Sequence, residues 1–377
     1  MHLSTKLIHQ NNVSHDSAAV IPPMILSTTF ERGENGLDYP GGFLYSRYDN
    51  PNRRSLEEKL AGLEQGAAAI SFSSGLAATN AVLQTLQPGD HLLIPDDIYF
   101  AVRSLLDQVF SGFQITYTVV DMTDAANIEK AILPQTKILW IETPSNPSLK
   151  ITDIAAAVTI AKKNNLAVVV DNTWSTPHCT NPLLMDADIV LHSTTKYLGG
   201  HSDLLGGVLI CKEMNALTEK LRTIQKLGGA VPSAFDCWLL CRSLTTFSAR
   251  MEIHCKNGLA LASWLEGRKE IEKVYYPGLP SHPQHSIAVK QMHHGFSGML
   301  SILVKGNQET ALRLAGKLRL FKHATSLGGV ESLIEHRKSV EGPSSATPEN
   351  LLRISVGIEH INDLISDFEQ AFEQMHV

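Results

Sequence analysis

Polar residues that could do chemistry stand just beyond a series of short apolar runs. Ser73-Ser74-Gly75-Leu76 follows AAAISF (67–72) and opens a helix-like stretch. Asp96-Asp97-Ile98-Tyr99 follows HLLIP (91–95), and Thr143-Pro144-Ser145-Asn146-Pro147 follows KILWIE (137–142). Asp171-Asn172-Thr173-Trp174 follows LAVVV (166–170). DIVLH (188–192) leads into Ser193-Thr194-Thr195-Lys196-Tyr197 and then the glycine-rich Leu198-Gly199-Gly200-His201-Ser202-Asp203. Singly these are ordinary, since a strand-end aspartate is commonly a cap and a single lysine is commonly a solvated charge. Together they supply an acid, an amine, hydroxyls, an aromatic ring and an anion-binding helix start. A desolvated lysine loses its charge readily and then serves as nucleophile and base. A helix start offers unpaired N–H groups and a positive dipole end to a phosphate.

Periodicity shows how such residues come to share one edge. Apolar runs, including ITYTVV at 115–120, alternate with helix-like stretches, as in Ile151, Ile154, Ala155, Val158 and Ala161, where Thr152 is the expected N-cap. That alternation predicts an α/β fold with a large, mostly parallel sheet covered by helices on both faces. Ligands then bind beyond the carboxyl ends of the strands, where the polar segments lie. After about residue 235 the pattern changes to a long helical stretch (235–267), a linker around YYPGLPSHP, strand-like runs at 298–304 and 351–356, and a final amphipathic helix. This is read as a smaller C-terminal α+β domain. The expected division is an N-terminal arm at 1–52, a large domain at 53–240 and a small domain at 241–377. The arm has no sustained periodicity, yet Ile21, Met24, Phe30, Tyr39, Phe43, Tyr45 and Tyr48 imply order against a partner surface.

Composition narrows the function classes. The 377 residues carry a formal charge of -6 without a basic block, which argues against nucleic acid as a partner. No apolar stretch approaches the ~18 residues of a membrane span, and MHLSTKLIHQNN lacks the layout of a signal peptide, so the cytoplasm is expected. Cys179, Cys211, Cys237, Cys241 and Cys255 are an odd number and read as reduced thiols, with Cys237 and Cys241 packed on one helix face. His293, His294 and His336 lack metal-ligand spacing, so no metal is expected. The Ser-Gly helix start matches neither G-x-G-x-x-G nor G-x-x-x-x-G-K-S/T, which argues against dinucleotide and nucleoside-triphosphate enzymes.

Pyridoxal 5'-phosphate (PLP) is the cofactor that needs the whole set. It takes a lysine for its Schiff base, a carboxylate for its pyridine nitrogen, a stacking ring, and hydroxyls with a helix start for its phosphate. YSRYDNP (45–51), SSGLAAT (73–79), DDIY (96–99), ETPSNP (142–147), VDNTW (170–174), STTKYLGGHSD (193–203), SLGGVESL (326–333) and LRISVGIE (352–359) resemble, in order, segments of the Cys/Met-metabolism (trans-sulfuration) family of PLP-dependent enzymes. The resemblance implies the fold type I of PLP-dependent transferases. By position it makes Lys196 the Schiff-base lysine, Asp171 the pyridine partner, and Tyr99 the stacking ring and acid/base. Ser74, Gly75, Leu76, Thr173, Ser193 and Thr195 resemble the phosphate and cofactor cradle, and Asn146 resembles a ligand of cofactor or substrate. Arg353 resembles the substrate carboxylate clamp, with Ser326 in the adjacent turn. Tyr45 and Arg47 resemble the pair that reaches the neighbouring subunit's cofactor, which implies a homo-oligomer, a tetramer built from dimers that share active sites.

The family includes cystathionine γ-synthases, γ-lyases and β-lyases and methionine γ-lyases. SLGGVESLIEH with LLRISVGIE is most similar to the γ-synthase/γ-lyase branch, which implies γ-elimination or γ-replacement on sulfur amino acids. β-Lyase or methionine γ-lyase activity is the alternative, and a PLP aminotransferase is a reading from another class. Leu44 and Thr325 stand where that branch often has glutamates, Ala101 where methionine γ-lyases usually have cysteine, and Trp174 is similar to some β-lyases. The stretch 336–351 is short and lacks the family's Met-Thr-His.

Overall fold

The computed structural model describes residues 2–9, 19–342 and 345–375. Residues 10–18 of the expected arm, and 343–344 within the short stretch 336–351, lie outside the described residues. A seven-stranded sheet takes the order β1-β7-β6-β5-β4-β2-β3. Its strands are β1 (Ala68–Phe72), β2 (His91–Pro95), β3 (Thr116–Val120), β4 (Thr136–Glu142), β5 (Ala167–Asp171), β6 (Ile189–Ser193) and β7 (Gly207–Cys211). The pairs from β3 through β6 are parallel.

The runs are apolar throughout because each strand feeds two cores. Trp140 and Val169 pack into one cluster with Phe72 and Val82, while Leu139, Ile141, Val168 and Val170 pack into another with Ile154 and Val158. In β4 and β5 almost nothing meets water, so alternation is absent there, whereas the edge strand β3 is partly exposed. A five-stranded sheet follows in the order β10-β11-β12-β9-β8. It comprises β8 (Ile271–Tyr275), β9 (Met299–Val304), β10 (Lys322–His323), β11 (Leu333–His336) and β12 (Leu351–Ser355). Helix Ile361–Met375 buries Leu364, Phe368 and Phe372 against its core, as its periodicity predicts.

Four local expectations are corrected. β7 joins the large sheet antiparallel to both β1 and β6, and its glycine-rich entry hid it from the sequence. The expected helix at 235–267 is two helices, Ala234–Leu244 and Phe247–Glu266. At the break Thr246 N–H turns back to Ser243 O (3.2 Å), and Arg250 of the second helix donates to the same carbonyl from Nη2 (3.1 Å). Asp153 rather than Thr152 caps helix Ile154–Lys163, its Oδ1 accepting from Ala156 N–H (3.0 Å). Within the N-terminal fifty, Leu3–His9 is helical, with Leu7 buried. Among the described residues no helix is long and apolar enough to cross a membrane.

Gly207 sets the spacing between β7 and the first helix start. A Cβ there would lie 2.2 Å from Ser74 O and 2.7 Å from Gly75 Cα. Gly207→Ala is therefore expected to destabilise the fold by about 1–3 kcal/mol, an overpacking cost. Thermal unfolding of the cofactor-free variant against its parent checks this, and an unchanged midpoint would count against it.

Candidate active site

A cavity of about 450 Å3 opens at the carboxyl ends of β1, β4, β5 and β6 and is closed from the other side by the smaller sheet. Lys196 is at its centre, and its Nζ donates to Ser326 Oγ (2.9 Å). Burial, then the Arg353 and Arg337 charges, bring the Lys196 pKa down to about 8, although Glu335 opposes them. The loop holding Lys196 is strapped down by Arg250. Its Nη1 donates to Tyr197 O (2.7 Å), and at Gly200 (φ +71°) a Cβ would strike the same guanidinium at 1.9 Å.

At the sheet side, Glu142 and Asp171 stand side by side, paired in register at the ends of β4 and β5. Burial raises both carboxyls, and the Asp171 charge pushes Glu142 up further. Glu142 Oε2 also accepts the Tyr99 backbone N–H (2.9 Å), which fixes the tyrosine at the cavity wall. Burial raises the Tyr99 phenol, so it stays protonated at neutral pH. Behind the strand ends, the fully buried Glu64 accepts from Asn172 Nδ2 (2.8 Å) and pairs with His192 Nε2 (2.7 Å). It thereby holds the residues that flank Asp171 and Ser193 in sequence.

The helix Gly75–Leu83 begins at the cavity. Ser74 Oγ caps Ala77 N–H (3.0 Å) and Ser74 O accepts Ala78 N–H. The N–H groups of Gly75 and Leu76 are left without an acceptor among the described residues. Gly75 has to be glycine, because a Cβ would sit 2.9 Å from Ser193 Cβ. Thr173 Oγ1 accepts from Ser193 N–H (2.9 Å), and Thr195 Oγ1 exchanges hydrogen bonds with the Gly206 backbone.

On the side of the smaller sheet, Arg353 of β12 is buried and donates to Asn146 Oδ1 (3.1 Å), Ser326 O (3.2 Å) and Glu335 Oε2 (2.6 Å). Burial and the Arg337 charge lower its pKa to about 10, so it remains cationic. Ser326 has φ +101°, a strained value for a serine, and bonds the amine of Lys196 with its side chain while its carbonyl accepts from Arg353.

The cavity lining includes Ser74, Gly75, Leu76, Tyr99, Asn146, Asp171, Thr173, Ser193, Thr195, Lys196, Ser326 and Arg353. It does not gather Tyr45 or Arg47. Arg47 Nη1 donates instead to Lys226 O (2.7 Å), and its guanidinium lies 5.7 Å from the Tyr45 ring centre. Sequence reasoning missed Phe100, Leu205, Arg337 and Val340 in the lining, and Glu335 behind it. Glu335 lies in β11 and Arg337 opens the helix Arg337–Glu341 that follows it, and no local pattern marked either.

The donor set suits a phosphate-bearing pyridine: two free helix-start N–H groups, hydroxyls packed close by the absent Gly75 Cβ, a lowered amine, and buried carboxyls lacking a cation. The profile of the Cys/Met metabolism PLP-dependent enzymes matches residues 4–373.

The chain belongs to the Cys/Met-metabolism family of PLP-dependent enzymes.

Its relatives in that family differ in activity. A cystathionine γ-synthase of Mycobacterium bovis is 46% identical over 362 residues, spanning 94% of this chain and 92% of the relative. A cystathionine β-lyase of Coxiella burnetii is 42% identical over 380 residues, spanning 98% and 97%. The crystal structure of a cystathionine γ-lyase from Lactobacillus plantarum complexed with L-serine superposes with a TM-score of 0.93 at 37% identity, covering 99% of each chain. The Cys/Met-metabolism fold, an α/β architecture of PLP-dependent enzymes, and dependence on PLP are therefore properties of this protein.

Proposed function

We propose that this trans-sulfuration enzyme is of the cystathionine γ-synthase/γ-lyase kind and carries out γ-replacement or γ-elimination. The observation that carries the reading is Ser326, which bonds the Lys196 amine and the Arg353 guanidinium at once. An amino acid held by its carboxylate at Arg353 would present its Cα hydrogen close to that amine.

Bound PLP supplies a covalent attachment for the substrate's amino group and an electron sink for the pair left when a proton departs. Lys196 would attach the cofactor, and its amine, with a pKa lowered by burial, is placed to take a proton from the substrate's Cα. Asp171 would hold a proton on the pyridine nitrogen, and Glu142, beside it in register, holds the Tyr99 backbone. Tyr99 would pack against the cofactor ring, and its protonated phenol would donate to the group leaving from Cγ. Gly75 and Leu76 N–H with Ser74, Thr173, Ser193 and Thr195 would hold the phosphate side, and Asn146 and Arg353 would orient the substrate.

The arm (1–52) serves the neighbouring subunit, in our reading, through Tyr45 and Arg47, within a tetramer built from dimers. Support comes from their absence from the cavity lining of their own chain and from the exposed Leu26, Leu37 and Leu44 nearby. In the same reading the large domain is 53–240 and the small domain 241–377, a division that the presence of two sheets supports. A cytoplasmic location fits the free thiols.

Purified protein given an O-acylhomoserine with cysteine is expected to form cystathionine, and given cystathionine alone to release 2-oxobutyrate. Pyruvate as the main product would instead establish a β-lyase, which Trp174 in the cavity wall would suit. Turnover that needs a 2-oxo acid acceptor would establish an aminotransferase. A second test concerns Lys196 alone. The rate at which cofactor-free protein captures PLP covalently should rise with pH through a midpoint of about 8, because only the neutral amine reacts. A midpoint near 10 would show an amine that is not desolvated.

A further inference from the structure

Two thiols that the chemistry above does not use face each other outside the cavity lining. Cys179 ends the short helix Thr176–Cys179, and Cys255 lies within the helix Phe247–Glu266. Their sulfurs are 3.7 Å apart, with Cys179 1% and Cys255 6% exposed. A disulfide needs about 2.05 Å between sulfurs, so the pair must close by roughly 1.7 Å. Among the described residues no His, Cys, Asp or Glu completes a metal site with them.

The two sulfurs are not equivalent. The Cys179 thiol, followed by the Ser297 and Phe296 backbone N–H groups, lowers the pKa of Cys255. Cys179 is pushed up by the same contact and by burial. Cys255 is therefore the more readily ionised and the better placed to act as nucleophile. Burial raises the other three thiols, Cys211, Cys237 and Cys241. The cover over Cys255 is thin. At Gly295 (φ +127°) a Cβ would lie 2.8 Å from Cys255 Sγ, and His293 and His294 just before it are exposed. Such a cover admits a small oxidant and excludes a bulky one.

Packed neighbours couple the pair to the lysine. His254, next to Cys255, meets the ring of Tyr197 edge-on at 5.0 Å. Tyr197 Oη accepts from Ser297 Oγ (3.1 Å) and from Gly298 N–H (3.2 Å), and Tyr197 directly follows Lys196. On the other side Thr176 has φ +61°, a strained value for a β-branched residue, between Cys179 and the cavity-lining Trp174.

We propose that Cys179 and Cys255 are a redox modification site: hydrogen peroxide joins them in a disulfide that displaces the Lys196 loop and slows the enzyme until a thiol reductant reopens it. The Cys255 thiolate attacks one peroxide oxygen, the O–O bond breaks, and the departing hydroxide takes up the thiol's proton as water. The Cys179 sulfur then attacks the sulfenic acid on Cys255, the S–O bond breaks, and a second water leaves with the Cys179 proton. The two thiols give up two electrons and two protons, and the peroxide takes up both.

The test is treatment of the PLP-loaded enzyme with hydrogen peroxide, read in two ways. Peptide mass analysis without reductant should find the Cys179 and Cys255 peptides joined with the loss of two hydrogens, and dithiothreitol should separate them. The rate at which L-cystathionine changes the absorbance of the bound cofactor should fall by about tenfold or more, since a misplacement of about 1 Å can cost about 100-fold. That rate should recover with dithiothreitol. Cys179→Ser and Cys255→Ser should each keep the parent rate before peroxide and lose the response to it. Cys179→Ala and Cys255→Ala serve if a serine variant does not fold. The proposal is overturned if no cross-link forms, if Cys255 ends as a sulfinic acid, or if the cross-link leaves the rate unchanged. A fall in rate that persists in both variants would overturn it as well.

Discussion

Lys196→Ala is expected to bind PLP without ever attaching it and to lose turnover by about 10³-fold or more. General acid–base catalysis by one side chain is worth about 10²–10⁴-fold, and here the same amine also carries the cofactor. The fold should survive, because Nζ bonds a single partner, Ser326 Oγ, and the loop is held by Arg250 from below. Borohydride reduction followed by peptide mass analysis provides the check. The parent should carry the reduced cofactor on the peptide containing Lys196, and the variant should carry none. A labelled variant would mean that another lysine does this work and that the proposed site is wrong.

The second large effect is expected at Arg353. Arg353→Ala removes the clamp and weakens its surroundings, since Glu335 loses one of its two guanidinium partners and Asn146 Oδ1 loses its donor. Truncating one member of a buried, hydrogen-bonded charge pair costs about 2–5 kcal/mol. A fall in kcat/KM of about 30- to 1000-fold is therefore expected, most of it in KM. Arg353→Lys should recover little, because an ammonium cannot reproduce the planar fork that reaches three acceptors. Cofactor capture measured alongside separates the possibilities. Normal capture with poor substrate binding fits the clamp, whereas loss of both would assign Arg353 to the architecture instead.

Much of the site was legible because a doubly wound sheet brings its strand ends to one edge. Asp171, Ser193 and Lys196 could be placed once their apolar runs were recognised, and Gly75 by the helix it opens. The wall from the smaller sheet was less legible. β11 is four residues long, and Glu335 is paired across the ladder with Arg353, a contact between distant segments that no local pattern encodes. Arg337 resembles any surface arginine until the helix that follows β11 turns it inward, where it is buried. The break after Leu244 has no glycine or proline to announce it, because Thr245 and Thr246 N–H turn back to Arg242 and Ser243 carbonyls and Arg250 adds a bond from the next helix. Cys179 and Cys255, whose sulfurs lie 3.7 Å apart, are likewise joined only by the tertiary fold.

The strand order has a consequence for the growing chain. β1 pairs only with β7, whose residues begin at Gly207, whereas β1 ends at Phe72. At translation rates of about 5–20 residues per second, β1 leaves the ribosome roughly 7–27 s before its neighbour exists. Through that interval an apolar strand with two open edges is at hand, and the helix start at Gly75 has nothing to lean on. Arg353 emerges later still, so the strand ends of the large sheet are made well before the wall that the smaller sheet supplies.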